Sequence, residues 1–239
     1  MALQRLDKIV ASGWNRTRRE ARDLVRAGRV LVDGAPVLDG ALKLDPDAAG
    51  VTLDGAALDY RPVTWVMLNK PAGYLTATHD RRFPTVMDLL PPELRHLRPV
   101  GRLDKTTEGL LLLTNDGAAV HALLSPKRHV AKVYRAEVGG TPTEADVAAF
   151  REGLELSHGL RCLPAELEVV SQEGARSVCL VTVWEGKFHQ VKRMLAAIGN
   201  PVLHLERIKM GNLPLDMSLK RGSFRFLTAE EVASLTDFS

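Results

Sequence analysis

Asp104 stands in the stretch "VGRLDKTTEGLLLLTNDG", residues 100–117, two residues after Arg102 and directly before Lys105. A carboxylate between two cations is favoured in its ionised form, and an ionised, positioned carboxylate can act as a nucleophile. The same residue types also build turns, since aspartate beside glycine and threonine caps helices and closes loops, and "TTEG" can open a helix. Spacing alone leaves both readings open. The other reactive side chains narrow the chemistry. His79, His96, His121, His129, His158, His189 and His204 show no paired ligand spacing of the His-Glu-x-x-His kind, so no metal site is expected and they read as core residues or contacts to a partner. Cys162 and Cys179 are too few for a disulfide framework or a thiolate zinc site, and Cys179 lies in an apolar run as a buried thiol.

Charge points to a partner. Residues 1–30 hold eight Arg or Lys against three acids, a local excess of five in a chain whose overall net charge is +3, so the remainder is −2. A basic N-terminal patch without a membrane-binding apolar face suits a polyanion, with nucleic acid the natural candidate. No apolar run approaches the ~20 residues of a membrane-spanning helix, and no secretory signal is expected from "MALQRLDKIVASGWNRTRRE". The expected location is the cytoplasm, with no membrane contact and a monomeric state.

The elements that must position these residues can be read from periodicity. Thr17 and Glu20 have capping-box spacing, Ala21, Leu24 and Val25 form an apolar stripe, and Gly28 supplies a stop, which predicts a helix over 18–27. Arg18, Arg22, Arg26 and Arg29 then line its other side, with Arg16 and Arg19 adjacent. Only Glu20 and Asp23 are near enough in sequence to neutralise them, which favours RNA contact over a solvated face. "RVLVDGAPV" predicts a hairpin turning on Asp33-Gly34. "LDYRP", 58–62, reads as a linker, because Pro62 lacks a backbone donor and an apolar run follows directly. Beyond it, "TWVMLNKPAGY", "GLLLLTN", "AKVYRAEV" and "SVCLVTVWEG" read as strands, with Asn115-Asp116-Gly117 as a turn. "HQVKRMLAAIG" reads as a helix stopped by Gly199, and "TAEEVASL" as a final helix boxed by Thr228 and Glu231. Strands and helices mix irregularly, without repeats or the regular alternation that a doubly wound parallel sheet would demand.

The first quarter of the chain resembles the S4 RNA-binding domain, through "RLDK", the basic helix and "GRVLVDGAPV". "GRLDKTTEGLLLLTNDG" resembles the signature motif of pseudouridine synthases, in the branch that includes the small-subunit ribosomal RNA enzyme and its large-subunit relatives. "VMLNKPAGY", "SPKRHVAKVYRAEV" and "GKFHQVKRMLAAIGNPVLHLERIKMG" agree, in the family's order. The resemblance implies an α+β fold: a small S4-like α/β RNA-binding domain over 1–60, then a mixed, largely antiparallel-sheet catalytic domain over 61–239.

It also implies roles. Asp104 matches the catalytic aspartate, acting at C1′ of the target uridine either directly or by assisting glycosidic cleavage by another route. Arg102 matches the arginine that fills the space of the flipped-out uridine, where a planar guanidinium replaces part of the lost stack. Tyr134 matches the tyrosine that stacks on uracil. On the strand it shares a face with Lys132, Ala136 and Val138, and by itself it would read as a half-buried strand aromatic. Lys192 matches the cation paired with the aspartate, and Leu195 the apolar pocket residue, three positions on along one helix. Lys187 and Arg193 are then RNA contacts, as are Arg16, Arg18, Arg19, Arg22 and Arg26. The isomerisation adds no group and changes no oxidation state, so no cofactor is implied. The expected substrate is ribosomal RNA or a pre-ribosomal particle, 16S rRNA before 23S, and a non-catalytic ribosome-assembly factor is the alternative class.

Overall fold

The second helix begins where the Thr17–Glu20 spacing puts it. Thr17 Oγ1 accepts from the Glu20 amide at 3.2 Å and the Glu20 carboxylate accepts from the Thr17 amide at 2.7 Å, satisfying two otherwise orphaned donors. In this computed structural model, which describes residues 3–14, 16–46, 49–58, 63–156 and 159–236, α1 spans Leu6–Gly13 and α2 Arg18–Arg26. Strands β1 (Val30–Val32) and β2 (Ala35–Pro36) form the expected hairpin, with Asp33 and Gly34 both at positive φ as a type I′ turn requires. With β3 (Val51–Leu53) and β4 (Ala56–Ala57) they make an antiparallel sheet in the order β2-β1-β3-β4. Leu6, Ile9, Val10, Ala21, Val25, Val30 and Val51 close one core between helices and sheet. These elements lie in the first of two compact units, Met1–Thr64; the second is Trp65–Ser239. The junction expected at 60/61, with most of its linker, falls on 59–62, outside the described residues.

The cationic face of α2 is smaller than its spacing predicts. Arg18 pairs with Asp7 at 2.8 Å, and Arg5 meets the same buried carboxylate at 2.9 Å. Arg29 lies beyond the helix end and is bound by Asp54 from the β3–β4 turn. Acids distant in sequence therefore take up two of the six arginines. Arg16, Arg19, Arg22 and Arg26 stay at the surface, Arg26 with its guanidinium 4.0 Å from Asp23.

The second unit is built on a nine-stranded sheet. Its long strands are β5 (Trp65–Lys70), β6 (Glu108–Thr114), β7 (Lys132–Gly139), β8 (Glu166–Glu173), β9 (Arg176–Val183), β10 (Val202–Met210) and β11 (Phe224–Phe226). They run in the order β8-β9-β7-β10-β6-β5-β11, with short strands Arg98–Pro99 beside β6 and Leu213–Pro214 beside β10. Every pairing is antiparallel except β10 with β6, which are parallel over Glu206↔Glu108 and Arg207↔Gly109. Gly109 makes this junction possible. Its φ is +93°, and a Cβ there would lie 2.4 Å from the Arg207 carbonyl oxygen.

Four helices cover the sheet: α3 (Gly117–Leu124), α4 (Glu144–Glu152), α5 (Gln190–Ala197) and α6 (Ala229–Thr236). Helix α3 corrects the turn expected at Asn115-Asp116-Gly117. Asp116 Oδ1 accepts from the Ala118 and Ala119 amides, both at 3.1 Å, so the aspartate caps a helix. The four leucines of β6 are explained by burial on both faces. Leu110 and Leu112 join Trp65, Met67, Ala119 and Leu123 on one side, and Leu111 and Leu113 join Val66, Leu68, Val86 and Leu97 on the other. At about 2 kcal/mol per buried leucine, β6 is pinned in register from both sides. A third core lies under α4 and α5, where Cys162 and Cys179 are packed and burial pushes both thiols up. No helix of the described residues is long and apolar enough to cross a membrane.

Candidate active site

Asp104 sits on the loop that feeds β6, and that loop is fastened at several points. The Val100 amide donates to the Leu112 carbonyl at 2.7 Å. Leu103 exchanges two hydrogen bonds with Thr76 Oγ1, donating at 3.1 Å and accepting at 2.8 Å. The main anchor is Lys70, at the end of β5. It is fully buried, and its ammonium donates to the carbonyls of Pro71 at 3.1 Å, Asp104 at 3.2 Å and Thr107 at 2.8 Å. Burial pushes its pKa down to about 8; Asp104 pulls it back up and Lys192 pushes it down again. The chain after Lys70 wraps the same loop, with the Gly73 amide donating to the Lys105 carbonyl at 2.8 Å.

So held, the Asp104 side chain faces a lysine and a histidine with two different oxygens. Lys192 Nζ is 3.3 Å from Oδ2, and His189 Nε2 is 3.5 Å from Oδ1. Thr107 Oγ1 adds a long contact to Oδ2 at 3.4 Å, while Lys192 also donates to Thr106 Oγ1 at 2.8 Å. Helix α5 and its N-cap bring both side chains. His189 immediately precedes it in the left-handed region, φ +51°, and Lys192 lies in its first turn. The turn before the helix is braced: Gln190 Nε2 donates to Glu185 at 2.8 Å, the Lys187 amide donates to Gln190 Oε1 at 3.0 Å, and the Lys187 ammonium pairs with Glu185 at 2.9 Å.

A cleft open to solvent spreads over Asp104. Arg102, Tyr134, Lys187, His189 and Lys192 line it, with Val183, Val191 and Leu205 as its apolar wall. Tyr134 reaches it from β7, the strand that pairs with both β9 and β10. Carboxylate, ammonium, phenol and an apolar wall in one cleft suit a planar, uncharged ring whose attached carbon is brought to the carboxylate.

Of the residues expected here, Asp104, Arg102, Tyr134, Lys192 and Lys187 are brought together. Leu195 is not. It is fully buried in the core under α5, with Val191 and Leu205 taking the wall position expected for it. Three residues along a helix is a rotation of about 300°, which leaves the two side chains about 60° apart and turns Leu195 inward. Arg193 is half-buried on α5 and does not line the cleft. Arg16, Arg18, Arg19, Arg22 and Arg26 belong to the other unit. Spacing did not single out Lys70 or His189. For Lys70 the available signal was a lysine closing an apolar strand before Pro-Ala-Gly, a position that buries an ammonium among carbonyls.

Residues 64–197 match the family model of RNA pseudouridylate synthases, and residues 4–49 match the S4 domain. The chain is 43% identical to the RNA pseudouridine synthase YtzG of Bacillus subtilis (strain 168), over 98% of each chain. It is 40% identical to ribosomal small subunit pseudouridine synthase A of Escherichia coli (strain K12), over 97% of this chain and 99% of that one. A solved pseudouridylate synthase superposes with a TM-score of 0.69 at 35% identity, covering 97% of this chain and 99% of the other. The chain belongs to the RNA pseudouridine synthase family and carries an S4 domain ahead of its catalytic unit. It is an RNA-binding enzyme whose reaction converts uridine to pseudouridine within RNA.

Proposed function

We propose that this chain isomerises a uridine of 16S ribosomal RNA, free or in a pre-ribosomal particle, in the cytoplasm, with Asp104 as the reacting carboxylate. The observation that carries the reading is the placement of Asp104 in the cleft, one oxygen facing Lys192 at 3.3 Å and the other His189 at 3.5 Å, with Tyr134 lining the same space. The bond from N1 to C1′ breaks, the uracil turns while it stays in the cleft, and C5 bonds to C1′. C5 then loses its proton and N1 gains one, so atoms and electrons balance with nothing added. Asp104 acts at C1′, directly or by assisting the glycosidic cleavage. Lys192 holds the carboxylate oriented until the sugar arrives. Tyr134 stacks on the uracil, and Arg102, exposed at the rim, occupies the gap left in the RNA stack.

Ribosomal RNA of the small subunit is favoured by relatives of that name, which align with nearly the whole chain at about 40% identity. The test is to incubate the purified chain with 16S and 23S RNA separately and with small-subunit precursor particles, and to map pseudouridine. One new position in 16S RNA is expected. Conversion confined to 23S RNA would shift the reading to a large-subunit enzyme, and binding without conversion of any of the three would contradict it.

A further inference from the structure

Phe188 is a large apolar side chain left 73% exposed beside the catalytic cleft. Its ring is not loose. It stacks on the His189 imidazole with centroids 3.9 Å apart and planes 17° from parallel. The left-handed backbone at His189 lets neighbouring side chains lie face to face, and the Glu185–Lys187–Gln190 brace fixes the turn that carries them. His189 in turn faces Asp104. Carboxylate, imidazole and phenyl therefore form a short ladder from the reacting group outward, ending in a largely exposed aromatic ring.

We propose that Phe188 is a stacking platform for a nucleobase of the substrate RNA, the base adjacent to the uridine held at Asp104; this rests on the functional reading above. Three observations favour a base over an apolar protein surface. The stack is near-parallel, the geometry that a further planar ring extends. Cationic side chains line the adjoining cleft, Lys187, Lys192 and Arg102 among them, and an exposed aromatic beside a cationic cleft is the arrangement that holds unpaired RNA. A single ladder also joins the ring to the carboxylate, so the base that it holds lies within one nucleotide's reach of the uridine. Stacking on Phe188 would hold the strand open on one side of the flipped nucleotide and set the register in which uridine enters.

The test uses the full chain and a uridine-containing oligoribonucleotide from 16S RNA in which 2-aminopurine replaces the base next to the uridine. Affinity, 2-aminopurine fluorescence and pseudouridine yield are read in the same samples. Phe188→Leu keeps the bulk and loses the ring. It should weaken binding by about 5-fold to 100-fold, the worth of one stacked base, and abolish the fluorescence quenching that wild type produces, while the rate at saturating RNA stays within about twofold. Phe188→Trp should restore both, and an abasic neighbour should weaken wild type by the same factor while costing Phe188→Leu nothing further. Equal affinity and quenching in wild type and Phe188→Leu would overturn the proposal, as would a fall confined to the saturated rate, which would make Phe188 a brace for His189. Phe188-dependent stacking with no pseudouridine formed by wild type on the oligoribonucleotide, on 16S or 23S RNA or on the precursor particles would leave the platform standing and refute the functional reading instead.

Discussion

Asp104 is held by both oxygens and by its backbone carbonyl, so the site's chemistry and its geometry rest on different partners. Lys192 and His189 face the charge, whereas Lys70 fixes the loop from beneath. Tyr134 adds a ring and a hydroxyl, and these can be separated. Tyr134→Phe should bind RNA as wild type does but slow single turnover by about 100-fold, the low end of what a positioned proton-transfer group contributes; an unchanged rate would confine the residue to stacking. Asp104, Arg102, Tyr134 and Lys192 were legible because each sits in a motif whose neighbours fix its place. Lys70 was not, since its role depends on carbonyls more than thirty residues away in sequence. Leu195 lies in the core beneath α5 and not in the cleft lining, because sharing a general side of a helix does not mean sharing a pocket.

Among the secondary-structure elements, the two halves of the catalytic sheet meet at one parallel pairing that a glycine permits. Gly109→Ala would force a Cβ against the Arg207 carbonyl and keep a non-glycine residue at φ +93°. It should destabilise the catalytic unit by about 3 kcal/mol, read as a lower denaturation midpoint with unchanged slope. In the S4 unit the corresponding fixture is Asp7. Burial pushes its carboxyl up, but Arg5 and Arg18 outweigh this and hold it below the usual range. A carboxyl with a depressed folded pKa contributes stability above its unfolded value, near 3.8, and that contribution is lost as pH falls through the lower folded value. Asp7→Asn should therefore cost about 2 kcal/mol at pH 7, and the gap from wild type should close in acid; a gap independent of pH would contradict the pairing. Helices α2, α5 and α6 and strands β5, β6, β7 and β9 were readable from caps and periodicity, whereas β8, β10 and β11 were not. The partners of Arg18 and Arg29 were not, because Asp7 and Asp54 reach them only through the folded chain, and α3 was missed because Asp-Gly serves a helix cap as readily as a turn.

In the whole molecule, one chain carries both an S4 unit and a pseudouridine synthase unit. Arg19, Arg22 and Arg26 are the surface cations to remove, since Arg18 is committed to Asp7. Replacing the three with glutamine should make the log-log salt dependence of RNA binding shallower by about 0.7 to 0.9 for each phosphate no longer neutralised, with the catalytic unit still folded; an identical slope would show that α2 presents a solvated face. The division into two units was legible from the charge asymmetry and Pro62, although the junction itself falls outside the described residues. The chemical role of Asp104 is met directly by mapping pseudouridine in ribosomal RNA from cells lacking this protein and from the same cells given wild type or Asp104→Asn. Loss of one 16S position, restored by wild type and not by an Asp104→Asn protein that still binds RNA, is the expected result, with activity down by about 10,000-fold or more as for deletion of a principal catalytic group. Restoration of that position by Asp104→Asn would contradict the assignment of Asp104 as the reacting carboxylate.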